Sequence, residues 1–295
     1  MILSIFSYLK YVSKPASPLS LESQKIKVTT SFYPLYYFTS QIGEGRIDVQ
    51  NITPAGAEPH DYEPTSQDIA RIEDSKLLVL NGEVEPWGDK IKDSLKDKPT
   101  KIIVAGDSLL NQKLVEEGEE MLDPHVWLSP QLAKIEVEKI AEGLASVDPN
   151  NSSYYLENSA HLKTELDQLD QDFKKGLSNC KKREFVTSHA AFGYLAKAYD
   201  LTQIAISGLS PDEEPSPQQL ANIAKLAKEQ NIKYIFFEDL VSPKLSETVA
   251  NEIGAQTLVL NPLEGLTDSD IKEGKNFFTE MRSNLDHLRE ALECT

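Results

Sequence analysis

The sequence predicts an α/β protein of two lobes, each a parallel sheet with helices on its faces. One long rigid helix joins the lobes, and a site lies in the cleft between them. Three observations predict this. Short β-branched runs alternate with helical patterns, which is the signature of parallel strands joined by crossover helices. The 295 residues reach the length of about 250–300 at which single cores stop growing. Midway, Tyr155, Leu162, Leu166, Leu169, Phe173 and Leu177 form one apolar stripe at helical spacing. A helix over Ser153–Leu177 spans roughly 35 Å at 1.5 Å per residue, enough to bridge two lobes rather than cap one.

The elements follow in order. Residues 1–24 read as a leader and a Ser- and Pro-rich linker. Lys25–Ser31 (KIKVTTS) is β-branched and begins as an alternating strand. Pro34–Ile42 is aromatic and apolar, fit for a buried helix, and Arg46–Ile52 alternates again. Thr65–Ile72 is helical, with Thr65 or Ser66 as cap and Asp68 in the first turn. Lys76–Leu80 (KLLVL), closed by Asn81-Gly82, fits a strand buried on both faces. Trp87–Leu95 reads as a helix and Lys101–Ala105 as the next strand. Asn111–Met121 is acidic and without period, a solvated loop. Gln131–Ala145 is helical until Asp148-Pro149-Asn150 breaks it. Beyond the long helix come strands at Glu184–Thr187, Thr202–Ile206, Lys233–Phe237 and Thr257–Leu260. Helices are expected at Ala190–Tyr199, Pro217–Gln230, Pro243–Ile253 and Ser269–Leu292. The divisions are therefore 25–149 for the first lobe, 150–180 for the linking helix and 181–295 for the second lobe.

Thirty Lys and Arg against 47 Asp and Glu leave a net charge of -17. That excludes a nucleic-acid binder, whose ligand rewards basic surfaces. It suits a solvated protein that attracts cations or, as the simpler reading, one kept soluble by its charge. Cys180 and Cys294 have no CxxC spacing, so they are either one disulfide or two free thiols. Met1–Leu9 is apolar but short, and Lys10 follows it rather than preceding it, so it makes an atypical secretory signal. No cysteine stands near it for a lipid anchor. No later apolar run approaches the ~18–20 residues of a membrane span.

Five histidines are present. His161 and His287 fall inside amphipathic helices, where surface positions are expected. His60, His125 and His189 share another context: each stands where a strand or apolar run yields to a loop. His60 and His125 are bracketed by prolines, in EPHDYEP and DPHVWLSP, which hold the backbone extended. Ligands of open parallel sheets bind beyond the carboxyl ends of strands. Three imidazoles at such ends, two from one half and one from the other, point to a metal held between lobes. No GxSxG, P-loop, GxGxxG or HExxH motif accompanies them.

The segments PHDYEP, DPHVWLSP, TSHAAFGYLAKAY and LNPLEGLT resemble the motifs of the metal-binding proteins of ABC importers, the ZnuA/AdcA-like zinc/manganese family. The resemblance runs from about Lys25 to the C-terminus. It implies a metal site of His60, His125, His189 and Glu264, with Asp268 and Glu238 as nearby carboxylates expected to be solvated or capping. Glu58 and Glu63 are expected to support the site rather than bind in it. Manganese-type relatives carry a carboxylate where this chain has His189, and nitrogen ligands suit Zn²⁺. The resemblance further implies a Cys180–Cys294 disulfide, an extracytoplasmic location (periplasm or cell surface), a membrane permease as partner, a monomer, and no enzymatic turnover. The rigid linking helix implies small lobe motion when metal leaves. Many zinc members carry a His-rich loop before the second ligand. Here that stretch is short and acidic, which puts metal shuttling by it in doubt. Two alternatives remain: a manganese-binding or adhesin-type member of the same family, and a zinc hydrolase with Glu63 or Glu264 as base.

Overall fold

The computed structural model describes residues 25–116, 119–211 and 213–295. The leader and linker at residues 1–24 lie outside the described residues. The first sheet holds β1 (Ile26–Thr30), β2 (Ile47–Asn51), β3 (Leu77–Leu80) and β4 (Lys101–Val104), all parallel, in the order β2-β1-β3-β4. After a small hairpin, β5 (Lys113–Glu116) and β6 (Glu119–Leu122), comes the second sheet. It is made of β7 (Glu184–Thr187), β8 (Thr202–Ala205), β9 (Tyr234–Phe237) and β10 (Gln256–Val259), also parallel, in the order β8-β7-β9-β10. The two sheets thus share one topology, although no repeat is visible in the sequence.

Helices α1 (Tyr33–Gly43), α2 (Ser66–Asp74) and α3 (Gly88–Ser94) serve the first sheet. Then α4 (Pro130–Val147) leads into α5 (Ser152–Gly176), the long helix. The second sheet carries α6 (Gly193–Ala198), α7 (Pro217–Glu229), α8 (Lys244–Ile253), α9 (Asp268–Lys272) and α10 (Phe277–Ala291). Starts are set by local chemistry. Thr65 caps α2 by accepting from Asp68 N while Asp68 accepts from Thr65 N, and Ser216 and Gln219 do the same for α7.

Each sheet is covered on both faces, which is why its strands read as apolar runs. Leu77 and Val79 face a large core, whereas Leu78 and Leu80 face a second cluster with Ile72, Trp87 and Ile91. In the other sheet Phe185 and Phe236 join the same large core, and Val186 and Ile235 face α7 and α8. The large core therefore runs through both lobes. Its middle is the α5 stripe, Tyr155, Leu162, Leu166, Leu169 and Phe173, packed on α1, α4 and α10. Each such side chain contributes roughly 1.5–3 kcal/mol by leaving water. A disulfide joins Cys180, just beyond α5, to Cys294, just beyond α10. Among the described residues no helix is long and apolar enough to cross a membrane.

Three local expectations are corrected. The stretch expected as a loop at 111–121 is the antiparallel β5–β6 hairpin, with Leu114 opposite Met121 and Lys113 paired to Glu120 at 2.6 Å. Its acidity hid the alternation. The single closing helix expected from Ser269 is two. Gly274, at φ +81°, ends the first, and Asn276 caps the second by accepting from Phe278 N and Thr279 N. The helix expected from Ala190 begins only at Gly193; the residues before it form a turn in which Ala190 N is bonded to Gly208 O.

Candidate metal centre

The loops at the carboxyl ends of both sheets meet, and His60, His125, His189 and Glu264 come together there. Their ligand atoms lie within 4.8 Å of one another. Glu264 Oε1 sits 3.2 Å from His60 Nε2, 3.0 Å from His125 Nε2 and 3.4 Å from His189 Nε2. His125 and His189 are fully buried and Glu264 nearly so, while the His60 side chain keeps 10% exposure. The other Glu264 oxygen is buried and has no hydrogen-bond partner among the described residues. A buried polar atom without a partner is costly, and a cation beside the carboxylate would satisfy it.

Each buried imidazole is aimed by a carboxylate behind it. His125 follows β6, and Asp123 Oδ1 accepts from both its backbone N (2.9 Å) and its Nδ1 (2.8 Å). His189 follows β7, and its Nδ1 donates to Glu238 Oε1 at 2.6 Å, where the Ser188 hydroxyl also donates. Occupying Nδ1 in this way leaves the Nε2 lone pair facing the centre. The His189 carbonyl is held by Thr187 Oγ1 (2.7 Å) and Gln203 Nε2 (2.8 Å). His60 lies on the loop after β2, its backbone N bonded to Glu58 Oε1 at 3.3 Å.

The two lobes are stitched together at this point. Trp127, wholly buried, donates from Nε1 to Pro262 O at 2.8 Å. Its ring lies against His125 and Phe32, with centroids 5.2 and 4.8 Å away. Gly56 N reaches Leu266 O at 3.1 Å. Gly193 is required here, since a Cβ on it would stand 2.7 Å from Asp123 Oδ2.

Electrostatics match the arrangement. Burial works against charge on His189, but the carboxylates of Glu238 and Glu264 prevail and raise its pKa well above the ordinary value. His125 is raised in the same way, burial being overcome by Asp123 and Glu264. Burial would raise Glu264, yet the His189 charge and the hydrogen bonds from all three imidazoles hold it well below the usual carboxylate range. Glu58 goes the other way: burial and then the Glu264 charge push it up to about 9. The shifts of His125, His189 and Glu264 all favour positive charge at the centre of the pocket.

The remaining candidates part from this cluster. Asp268 is exposed in the first turn of α9, as expected. Glu238 is not the solvated carboxylate expected; it is 3% exposed and orients His189. Glu63 and His161 are exposed. His287, expected at the surface, is half-buried and bonded through Nδ1 to Val259 O at 2.8 Å. The sequence does not mark Asp123 or Glu238 as orienting carboxylates: Asp123 stands two residues before its histidine and Glu238 forty-nine residues after its own, with no spacing in common.

Residues 28–291 match the family described as "Zinc-uptake complex component A periplasmic". The chain is 42% identical over 283 residues to the high-affinity zinc uptake system protein ZnuA of Bacillus subtilis, covering 92% of this chain and 89% of that protein. It is 42% identical over 281 residues to the zinc-binding lipoprotein AdcA of Streptococcus pneumoniae, covering 91% of this chain but 56% of AdcA. The solved Zn(II)-bound ZnuA-like domain of S. pneumoniae AdcA aligns with a TM-score of 0.80 at 42% identity, over 91% of this chain and 99% of that domain. The matched region takes in both sheets, the long helix and the four clustered residues, and this chain belongs to the family of zinc-uptake complex component A proteins.

Proposed function

We propose that this chain captures Zn²⁺ outside the cytoplasm on His60, His125, His189 and Glu264 and hands it to the membrane permease of an ABC-type importer. The observation that carries the reading is the convergence of three Nε2 atoms on one buried carboxylate oxygen. Three imidazole nitrogens and a carboxylate oxygen complete a tetrahedral shell, the arrangement zinc prefers. Three nitrogen donors also favour zinc over manganese, which takes harder oxygen ligands. A closed shell leaves no position for a reactive water, so the chain binds and releases rather than turning over substrate. Residues 25–149 and 181–295 act as the two metal-holding lobes, with 150–180 as the link, in a monomer. The zinc named for the Bacillus subtilis and Streptococcus pneumoniae relatives supports the same cargo here.

Elemental analysis of the purified protein and calorimetric zinc titration of His60→Ala, His189→Ala and Glu264→Ala test the reading. Zinc as the dominant metal, with weakened binding in each variant, is the expected outcome. Unchanged zinc binding in all three would show that the site is elsewhere.

A further inference from the structure

We infer that Asn284, on α10, is a positioning residue that sets where the Glu264 carboxylate stands; the inference rests on the metal site proposed above. Glu264 sits in the buried turn Asn261–Leu266 between β10 and α9. Among the described residues, only the three imidazoles hold its side chain by hydrogen bonds, through Oε1, and Oε2 has no partner. The place of the carboxylate is therefore decided by the main chain beneath it.

That main chain is in an uncommon conformation. Leu263, the residue before Glu264, has φ +62° and no exposed surface. A leucine in the left-handed region persists only where its surroundings determine it. What determines it is a relay of two asparagines. Leu263 N donates to Asn261 Oδ1 at 2.7 Å. Asn261 is gripped at both backbone groups by the Asn284 amide: Asn261 N donates to Asn284 Oδ1 at 2.8 Å, and Asn284 Nδ2 donates to Asn261 O at 2.7 Å. A side-chain amide offers an acceptor and a donor together, which is what pairing with one residue's N–H and C=O requires. Asn284 is 1% exposed, so the pairing is made out of contact with bulk water.

The other main-chain anchors of this turn come from the first lobe, Trp127 to Pro262 O and Gly56 to Leu266 O. Asn284 anchors it from the second. Its helix is fixed in turn, with Met281, Leu285 and Leu288 in the large core and the disulfide just past its end. Removing the Asn284 amide frees Asn261, lets Leu263 relax from its left-handed conformation, and moves the next residue away from the imidazoles.

Zinc affinity, read by chelator competition on the full chain, tests this with Asn284→Ala, Asn284→Ser, Glu264→Gln and the combinations with Glu264→Gln. Asn284→Ala should weaken zinc binding by ~10–100-fold, the usual effect of losing a group that orients a ligand. Asn284→Ser keeps one hydroxyl, which can serve Asn261 N or Asn261 O but not both, and its loss should be smaller. It carries the test if the alanine variant fails to fold. In the Glu264→Gln background, either Asn284 change should cost no more than about twofold further, since coupled residues are not additive. Co²⁺-loaded Asn284→Ala should also show a shifted visible spectrum. Leu288→Ala, which lowers stability from the same helix while keeping the Asn284 amide, should not. If Glu264→Gln alone leaves zinc affinity intact, the metal-site reading fails. If Glu264→Gln weakens binding but Asn284→Ala does not, or costs the same in both backgrounds, the inference about Asn284 is wrong.

Discussion

Glu238→Gln should weaken zinc binding at pH 8 and do so less at pH 6. The carboxylate is 3% exposed and receives His189 Nδ1 at 2.6 Å. A hydrogen bond to a charged group is worth about 1.5–3 kcal/mol and a neutral one about 1. The glutamine oxygen can still accept, so the imidazole keeps its direction and loses only the charge assistance, about 1–2 kcal/mol. This corresponds to a ~5–30-fold loss of affinity, at about 1.4 kcal/mol per decade. The pH dependence runs against it. Burial depresses the His189 pKa, and the Glu238 charge is the largest influence raising it. Zinc must displace any proton held there. Taking away the charge lowers the pKa of the metal-free site, so at pH 6 the variant holds fewer protons than the parent and is penalised less. Competition against a calibrated chelator at both pH values reads the effect. An unchanged affinity at pH 8, or a deficit that grows on acidification, would refute the reasoning.

Other outcomes are expected. Trp127→Phe keeps the buried ring but leaves the Pro262 carbonyl without its donor. It should cost about 1–3 kcal/mol of stability, read by urea unfolding of the metal-free protein, and an unchanged midpoint would count against the inter-lobe bond. Glu136 is fully buried on α4, neither carboxyl oxygen has a hydrogen-bond partner among the described residues, and burial pushes its pKa to about 8. A carboxyl raised on folding loses stability as pH climbs from its unfolded value toward its folded one. Glu136→Gln should therefore stabilise by up to about 4 kcal/mol at pH 8 and by little at pH 5; equal effects at both would dismiss the burial argument. Replacing both Cys180 and Cys294 by serine opens a link across 114 residues. On the chain-entropy view this lowers stability by about 4–5 kcal/mol, and a thermal scan in which the variant matches the parent would contradict it.

The parallel sheets were legible because strands buried on both faces must be apolar, as Leu77–Leu80 shows. The long helix was legible because its stripe repeats at helical spacing over 25 residues. The hairpin at Lys113–Leu122 was not, since its polar composition masked its alternation. The break in the closing helix turned on one left-handed glycine, Gly274. Within the centre, the proline-bracketed histidines stood out by their setting. Asp123 and Glu238 did not, because an orienting carboxylate and a solvated one look alike until the fold buries them. Gly193 could be explained only once Asp123 was seen against it.

The large core that passes from β1 and β3 through α5 to β7, β9 and α10 makes both lobes one cooperative unit. Separating the halves would expose the faces that share this core, so the packing of each supports the other. His60 and His125 on one side, and His189 and Glu264 on the other, are thus set in place by one continuous body of packed side chains rather than by two that meet only at the site.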